Sequence, residues 1–175
     1  MKRVLIPLFL ILLAIVFISL KGETMELKTG NPAPLFTTKN HEGTPFSLSD
    51  RTGKWTVLYF YPKADTPGCT KQACAFRDSI EKIRELGAEV YGVSSDTVES
   101  LKKFHEKYHL NFPLLADPKA EIINSYEAKM PLLKIAKRWT FIVGPELKIR
   151  SIDQDVDPAM DAKKVAETIR ELQKN

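Results

Sequence analysis

The stretch WTVLYFY, at residues 55–61, constrains the fold more than any other part of the chain. Apart from its threonine it is apolar or aromatic without alternation, which is typical of a strand buried on both faces. Such a strand lies inside a sheet with a packed layer on each side. A second stretch of this kind, EVYGVS at residues 89–94, predicts a neighbouring strand. The sequence therefore predicts an α/β domain with a central sheet between helices.

The segment between these two strands has the pattern of an amphipathic helix. Apolar residues recur every three or four positions from residue 70 to residue 86, and Gly87 follows as a stop signal. The buried face of this helix is predicted to carry Ala73, Phe76, Ile80 and Ile83. A strand, a helix and a strand in this order predict a right-handed parallel unit.

The remaining patterns predict shorter elements. Helices are expected at residues 98–108, 120–126 and 160–172, and strands or extended segments at residues 112–117, 138–144 and 148–153. The last two strands flank a turn at Pro145 and Glu146, which predicts an antiparallel hairpin. A hairpin added to a parallel unit makes the central sheet mixed.

Residues 1–24 differ in composition from the rest of the chain. Lys2 and Arg3 precede an apolar run of 17 residues that is interrupted only by Pro7 and Ser19. This length is the lower limit for spanning a bilayer, and no small-residue cleavage site follows it. We expect an N-terminal apolar helix that is kept as a signal anchor, with a cleaved signal peptide as the alternative. Either form would export the following residues across the inner membrane, to a membrane-anchored or periplasmic location.

The rest of the chain is expected to form one domain. Residues 25–30 are interpreted as a linker and residues 31–175 as a domain with a single core. The formal net charge is +4, and 23 basic and 21 acidic residues remain after residue 24. This near balance, without a basic stripe, predicts no nucleic-acid partner.

The chain contains two cysteines, Cys69 and Cys74, in the stretch TPGCTKQAC. Cys69 lies at the start of the predicted helix, just beyond the carboxyl end of a strand, where α/β sheets bind ligands. Unpaired backbone N–H groups and the helix dipole favour a thiolate at such a position. Thr66 can offer a hydroxyl to this sulfur, and Gly68 allows the backbone to approach a bound ligand closely. These features predict a reactive cysteine.

The spacing of the two cysteines is too long for a disulfide within an intact helix. Five residues of helix separate the Cα atoms by roughly 8.7 Å and place them about 140° apart around the axis. A disulfide requires about 7 Å or less and side chains that face each other. Either Cys69 and Cys74 never bond, or the first turns of the helix unwind when they do.

The segment YPKADTPGCTKQAC resembles the active-site segment of peroxiredoxins, specifically of the bacterioferritin comigratory protein branch. The family signature P-x-x-x-T-x-x-C falls on Pro62, Thr66 and Cys69, and the second cysteine of this branch falls on Cys74. An arginine that the family has in an R-x-T-F context falls on Arg138, in RWTF. The resemblance extends over about residues 30–173.

This resemblance implies a thioredoxin-like three-layer fold with a mixed central sheet flanked by helices. It also implies a thiol peroxidase that reduces hydrogen peroxide and organic hydroperoxides. Cys69 would be the peroxidatic cysteine and Cys74 the resolving one, while Thr66 and Arg138 would orient the peroxide. Thioredoxin or an exported dithiol would restore the reduced state. The resemblance implies a monomer and neither a metal nor an organic cofactor.

Three alternatives are weighed against this interpretation. A membrane-anchored thiol–disulfide oxidoreductase without peroxidase activity would share the anchor and the fold, but that class uses the Cys-x-x-Cys spacing. A zinc module is suggested by His105 and His109, four positions apart on one predicted helix. A purely structural disulfide disagrees with the helical spacing of Cys69 and Cys74.

Overall fold

The computed structural model describes residues 26–174, which contain one sheet of seven strands. The strands are β1 (Thr37–Asn40), β2 (Pro45–Ser47), β3 (Trp55–Phe60), β4 (Ala88–Ser94), β5 (Leu114–Ala116), β6 (Trp139–Val143) and β7 (Ile149–Asp153). Their order across the sheet is β2-β1-β5-β4-β3-β6-β7. Strand β3 is parallel to β4 and antiparallel to β6, so the sheet is mixed, as the sequence predicts.

Four α-helices and a short 3₁₀ helix (Leu48–Arg51) surround this sheet. The α-helices are α1 (Pro67–Arg84), α2 (Val98–Lys107), α3 (Glu121–Ser125) and α4 (Asp161–Leu172). The order β3-α1-β4 is the predicted parallel unit, and β6 and β7 form the predicted antiparallel hairpin. These elements form the α/β architecture of a thioredoxin-like fold, with helical layers on both sides of the sheet.

Strand β3 is buried on both faces, which confirms the interpretation of its sequence. Val57 and Tyr59 belong to a core cluster that contains residues of α1, α2 and α4. Leu58 and Phe60 point to the opposite face, where they pack with residues of the 3₁₀ helix and α3. The alternation of a strand thus divides one apolar run between two cores.

The structure differs from the sequence predictions at several element ends. The sequence does not predict the hairpin of β1 and β2, because its strands TTKN and PFS are short, partly exposed and largely polar; β2 is an edge strand of the sheet. Helix α1 begins at Pro67 and not at residue 70, since proline is well suited to the first position of a helix. The predicted strand at residues 112–117 contracts to Leu114–Ala116.

The predicted N-terminal anchor, residues 1–24, lies outside the described residues. Between residues 26 and 174, none of the helices combines the length and the hydropathy that a membrane span requires. The described chain begins by joining the sheet edge, where Gly30 N donates to Ile149 O at 2.7 Å.

Candidate active site

The first turn of α1 carries Cys69. Pro67 is the first residue of this helix, and Thr66 precedes it in an extended conformation as the N-terminal cap residue. Cys69 is therefore the third helical residue, and its side chain is 1% exposed within the core cluster that includes Tyr59 and Tyr61. The first turn of a helix carries backbone N–H groups without partners inside the helix, and such groups attract negatively charged ligands.

A guanidinium group lies beside the Cys69 sulfur. Arg138 Nη2 is 3.4 Å from Cys69 Sγ, although the two residues are 69 positions apart in the sequence. The sheet register produces this contact, because Trp139 at the start of β6 pairs with Phe60 at the end of β3. The residue before β6 and the loop after β3 therefore meet where the carboxyl end of β3 lies beside the amino end of β6. The Cys69 sulfur therefore lies in contact with a fixed positive charge.

Gly68 provides the space that Arg138 occupies. A Cβ atom on residue 68 would lie 3.2 Å from Arg138 Nη2, which is closer than an ordinary van der Waals contact. The sequence suggests that Gly68 leaves room for a ligand, and in this structure the guanidinium takes part of that room.

Thr66 and Pro62 lie in the loop between β3 and α1. The Thr66 hydroxyl donates to the carbonyl oxygen of Lys63 at 3.0 Å, so its proton is directed to the loop and its oxygen keeps acceptor capacity. Pro62 is half-buried and follows directly after β3 and Tyr61. The structure thus brings Arg138 to the sulfur and places Thr66 just before the helical turn that carries it.

Two carboxylates hold this loop in place. Asp96 is 9% exposed and accepts a hydrogen bond from the backbone N–H of Ala64 at 2.8 Å. Asp65 has a left-handed backbone, with φ of 60°, and accepts hydrogen bonds from Lys107 Nζ and the Tyr108 hydroxyl. These two donors hold the pKa of Asp65 below its usual value. The loop is consequently tied both to the end of β4 and to the end of α2.

Cys74 lies on the same helix as Cys69, and neither cysteine forms a disulfide. Helix α1 is continuous through both positions, so standard helix geometry separates their Cα atoms by roughly 8.7 Å. This separation exceeds the reach of a disulfide, which is about 7 Å. In this state Cys69 can react with another molecule but not with Cys74.

A buried polar network extends from Arg138 on the side away from the sulfur. Arg138 Nη1 donates to Gln72 Oε1 at 2.5 Å, and Gln72 Nε2 donates to Asp161 Oδ2 at 2.6 Å. The Thr140 hydroxyl donates to the same carboxylate oxygen at 2.8 Å. Burial raises the pKa of Asp161 to about 6, although the hydrogen bonds from Gln72 and Thr140 oppose this shift.

The sequence does not predict Gln72 or Asp161 as site residues. Gln72 lies four positions before Phe76 on the buried face of α1 and is 0% exposed. A polar residue on an apolar helix face is a usable signal, because buried amides require hydrogen-bond partners. Asp161 gives no such signal, since an acidic residue in the first turn of a helix is ordinary.

The histidines that suggested a zinc module lie on α2 and just after it. His105 stacks on His41 with the ring centroids 3.7 Å apart. His109 follows the helix with a left-handed backbone, φ 49°. In the part of the chain that the structure describes, no group of three or more His, Cys, Asp or Glu side chains is placed to hold a metal ion.

Comparison with known proteins finds relatives that all point to one family. The AhpC/TSA family model matches residues 29–152. A putative peroxiredoxin bcp from Coxiella burnetii is 38% identical over 134 residues, which cover 73% of this chain and 89% of that protein. The chloroplastic peroxiredoxin Q of Sedum lineare is 59% identical over 88 residues, or 50% of this chain. That match spans about half the length of the chloroplastic protein, 47%.

Solved structures with the same fold agree with these matches. Peroxidoxin BcpB from Mycobacterium tuberculosis superposes with a TM-score of 0.78 and 34% sequence identity, covering 83% of this chain and 98% of that one. The bacterioferritin comigratory protein of Xanthomonas campestris superposes with a TM-score of 0.74 and 27% identity, covering 78% of this chain and 91% of that one. The Xanthomonas protein is described as having alkyl peroxide reduction activity.

Proposed function

Because the chain belongs to the AhpC/TSA family, with relatives named peroxiredoxin Q and bcp, we propose that it is a thiol peroxidase. Its substrates are hydrogen peroxide and organic hydroperoxides. The observation that carries this proposal is the 3.4 Å contact between Arg138 Nη2 and Cys69 Sγ at the start of α1. The thiol in this contact lies in the first turn of a helix with a cation 3.4 Å away, where charge that develops during a reaction can be stabilised.

In the first step, the Cys69 thiolate attacks one oxygen of the hydroperoxide. An S–O bond forms and the O–O bond breaks, so the sulfur is oxidised to a sulfenic acid while the other oxygen takes up a proton and leaves as alcohol or water. Arg138 stabilises the negative charge that moves from the sulfur to the departing oxygen. The Thr66 oxygen, whose own proton is held by Lys63 O, is free to accept the hydrogen of the hydroperoxide. Pro62 shapes the loop that carries Thr66.

In the second step, the Cys74 sulfur attacks the sulfenic sulfur of Cys69. An S–S bond forms, the S–O bond breaks and water leaves. Because the wound helix keeps the two Cα atoms roughly 8.7 Å apart, the first turns of α1 unwind before this step. The two cysteines belong to one chain, so a monomer suffices for the cycle.

In the third step, an external dithiol reduces the disulfide and becomes a disulfide itself. Thioredoxin or an exported equivalent supplies these two electrons. The cycle uses no metal or organic cofactor, since each oxidation and reduction takes place on sulfur.

Residues 1–24 supply the proposed location. Their basic start and apolar run support export across the inner membrane, with the enzyme anchored or periplasmic. Fractionation of cells that produce the full chain tests this proposal. Recovery in the cytoplasmic fraction would contradict it.

The alternative of an electron carrier without peroxidase activity is not supported. The similar proteins are named peroxiredoxins, and both cysteines lie within one continuous helix at a spacing that differs from Cys-x-x-Cys.

A rapid-mixing experiment tests the peroxidase directly. The reduced full-length protein in detergent is mixed with hydrogen peroxide while the fluorescence of Trp55 and Trp139 is recorded. Trp139 directly follows Arg138, so we expect a fast change with an amplitude that saturates at one peroxide per chain. The Cys69→Ser variant should show no such change. If this variant still consumes peroxide with turnover, Cys69 is not the reacting residue.

A further inference from the structure

Asp161 is a buried carboxylate that makes its hydrogen bonds through one oxygen. It is 2% exposed, and both Gln72 Nε2 and the Thr140 hydroxyl donate to Oδ2. Among residues 26–174, Oδ1 has no hydrogen-bond partner. Burying a charged group with an unpaired oxygen is unfavourable, so stability alone does not account for an acidic residue at this position.

The carboxylate of Asp161 can fix the orientation of the Gln72 amide. An amide group has a donating end and an accepting end, and it can present either end to a neighbour. A carboxylate only accepts, so Asp161 fixes the NH₂ end of Gln72 toward itself and leaves Oε1 facing Arg138. With the amide reversed, NH₂ would face a guanidinium group that has only donors. The orientation of Gln72 therefore decides whether Arg138 has an acceptor.

We propose that Asp161 is a positioning residue for the peroxide step, acting through Gln72 to hold the Arg138 guanidinium against the Cys69 sulfur. The inference rests on the proposed peroxidase function and extends the site to the start of α4. The contacts form a continuous path from Asp161 Oδ2 to Gln72, then to Arg138 and to Cys69 Sγ.

The same contact also holds α1 in its wound form. Gln72 lies between the two cysteines on α1, within the turns that unwind before the disulfide forms. Unwinding removes Gln72 from Asp161, so the hydrogen bond opposes the second step. Loss of Asp161 is expected to slow the reaction of Cys69 with peroxide and to speed its reaction with Cys74. Because the loss of any contact that holds α1 wound would have this double effect, the positioning role is tested by its dependence on Gln72.

A double-mutant cycle tests whether Asp161 acts through Gln72. The variants are Asp161→Ala, Gln72→Met and the combination, each measured as full-length protein by stopped flow with hydrogen peroxide. We expect Asp161→Ala alone to lower the second-order rate constant about tenfold, as the loss of one charge-assisted hydrogen bond allows. In the Gln72→Met background the same substitution should have almost no effect, because the path is already broken. Independent, multiplying effects of the two substitutions would overturn the proposal.

Two matched variants complete the test. Asp161→Asn keeps an oxygen that can accept from Gln72 but gains an NH₂ group that can face it instead, so its rate should fall, though less than in Asp161→Ala. Asp153→Asn removes a nearby carboxylate that pairs with Lys164, and it should react like the wild type. A wild-type rate in Asp161→Asn, or a rate below that of Asp161→Ala, would contradict the positioning role.

The wild-type protein separates this inference from the function on which it rests. Absence of a fast peroxide reaction in the wild type would refute the peroxidase itself. A fast reaction in both the wild type and Asp161→Ala would refute the positioning role alone.

Discussion

At the scale of single residues, the proposed reactivity depends on one arginine and the glycine beneath it. Arg138 contributes a positive charge to the sulfur through Nη2 and is held by Gln72 through Nη1. These two contacts use two different nitrogens of a planar group. The ammonium of lysine is a compact point charge and does not reproduce this fork.

Arg138→Lys is therefore expected to behave more like Arg138→Ala than like the wild type. We expect Arg138→Ala to slow the peroxide step by about a hundredfold or more, the range found when a group that stabilises developing charge is removed. Reduction of the Cys69–Cys74 disulfide by a dithiol should be nearly unchanged, because that half-reaction does not use the arginine. Stopped-flow measurement of both half-reactions checks this. Equal slowing of the two would argue against the role given to Arg138.

Gly68→Ala is expected to keep or raise the stability of the protein and to slow its reaction with peroxide. Within a helix, alanine is favoured over glycine by roughly 1 kcal/mol, so the variant should unfold at an equal or higher denaturant concentration. The new Cβ would meet Arg138 Nη2 at 3.2 Å and displace the guanidinium, so the peroxide step should slow. Urea unfolding and stopped flow on the same preparation test both parts. A fully active and more stable variant would show that the close approach of Arg138 to residue 68 is not needed.

At the scale of elements, the proposed cycle places two opposite requirements on helix α1. It must be wound to present Cys69 beside Arg138, and it must unwind for Cys74 to reach the oxidised sulfur. The Gln72–Asp161 hydrogen bond joins α1 to α4 and favours the wound form.

Removal of the second cysteine is expected to trap the first oxidation product. Cys74→Ser should consume about one peroxide per chain, then stop, and further peroxide should convert Cys69 to sulfinic acid. Mass spectrometry of the protein after increasing doses of peroxide measures these states. Sustained turnover of this variant with thioredoxin would exclude Cys74 as the resolving residue.

Asp161, the first residue of α4, should also make the stability of the fold depend on pH. The pKa of Asp161 is raised to about 6 by burial, above the value of an exposed aspartic acid, so the folded state holds this proton more tightly than the unfolded state. The tighter binding of this proton adds to the free energy of unfolding below about pH 4, and that stabilisation is lost as the pH rises through 6. The groups that face Asp161 include Gln72, Thr140, Lys164 and Asp153, and the last two oppose each other.

Asp161→Asn removes that titration. From pH 4 to pH 7, the stability of the variant relative to the wild type is expected to rise by about 2 kcal/mol. Urea unfolding of both proteins at the two pH values measures this difference. A constant difference would show that the carboxyl group titrates normally in the folded protein.

At the scale of the whole molecule, the sequence predicts the central layers better than the edges. The sequence predicts the parallel unit around β3 because buried strands produce long apolar runs, and it predicts the hairpin of β6 and β7 because two strand-like stretches flank a turn at Pro145 and Glu146. The edge hairpin β1–β2 is not predicted, since its partly exposed residues carry no comparable pattern.

The site shows the same division. Cys69, Cys74, Thr66 and Pro62 lie in one short segment whose motif is readable, and Arg138 was found through the resemblance to peroxiredoxins. The network behind Arg138 depends on α4 meeting α1, which only the packed structure shows. Contacts across 89 positions, as between Gln72 and Asp161, leave no local signal in the sequence.

The proposed cycle requires α1 to exist in two forms, which amide hydrogen exchange of the oxidised protein can detect. The reduced protein and the Cys69–Cys74 disulfide form are compared peptide by peptide, with Cys74→Ser as a control that cannot form the bond. We predict that oxidation abolishes amide protection over residues 69–74 and leaves the protection of β3 and of the second half of α1 unchanged. A disulfide form in which these amides remain as protected as in the reduced protein would contradict the account.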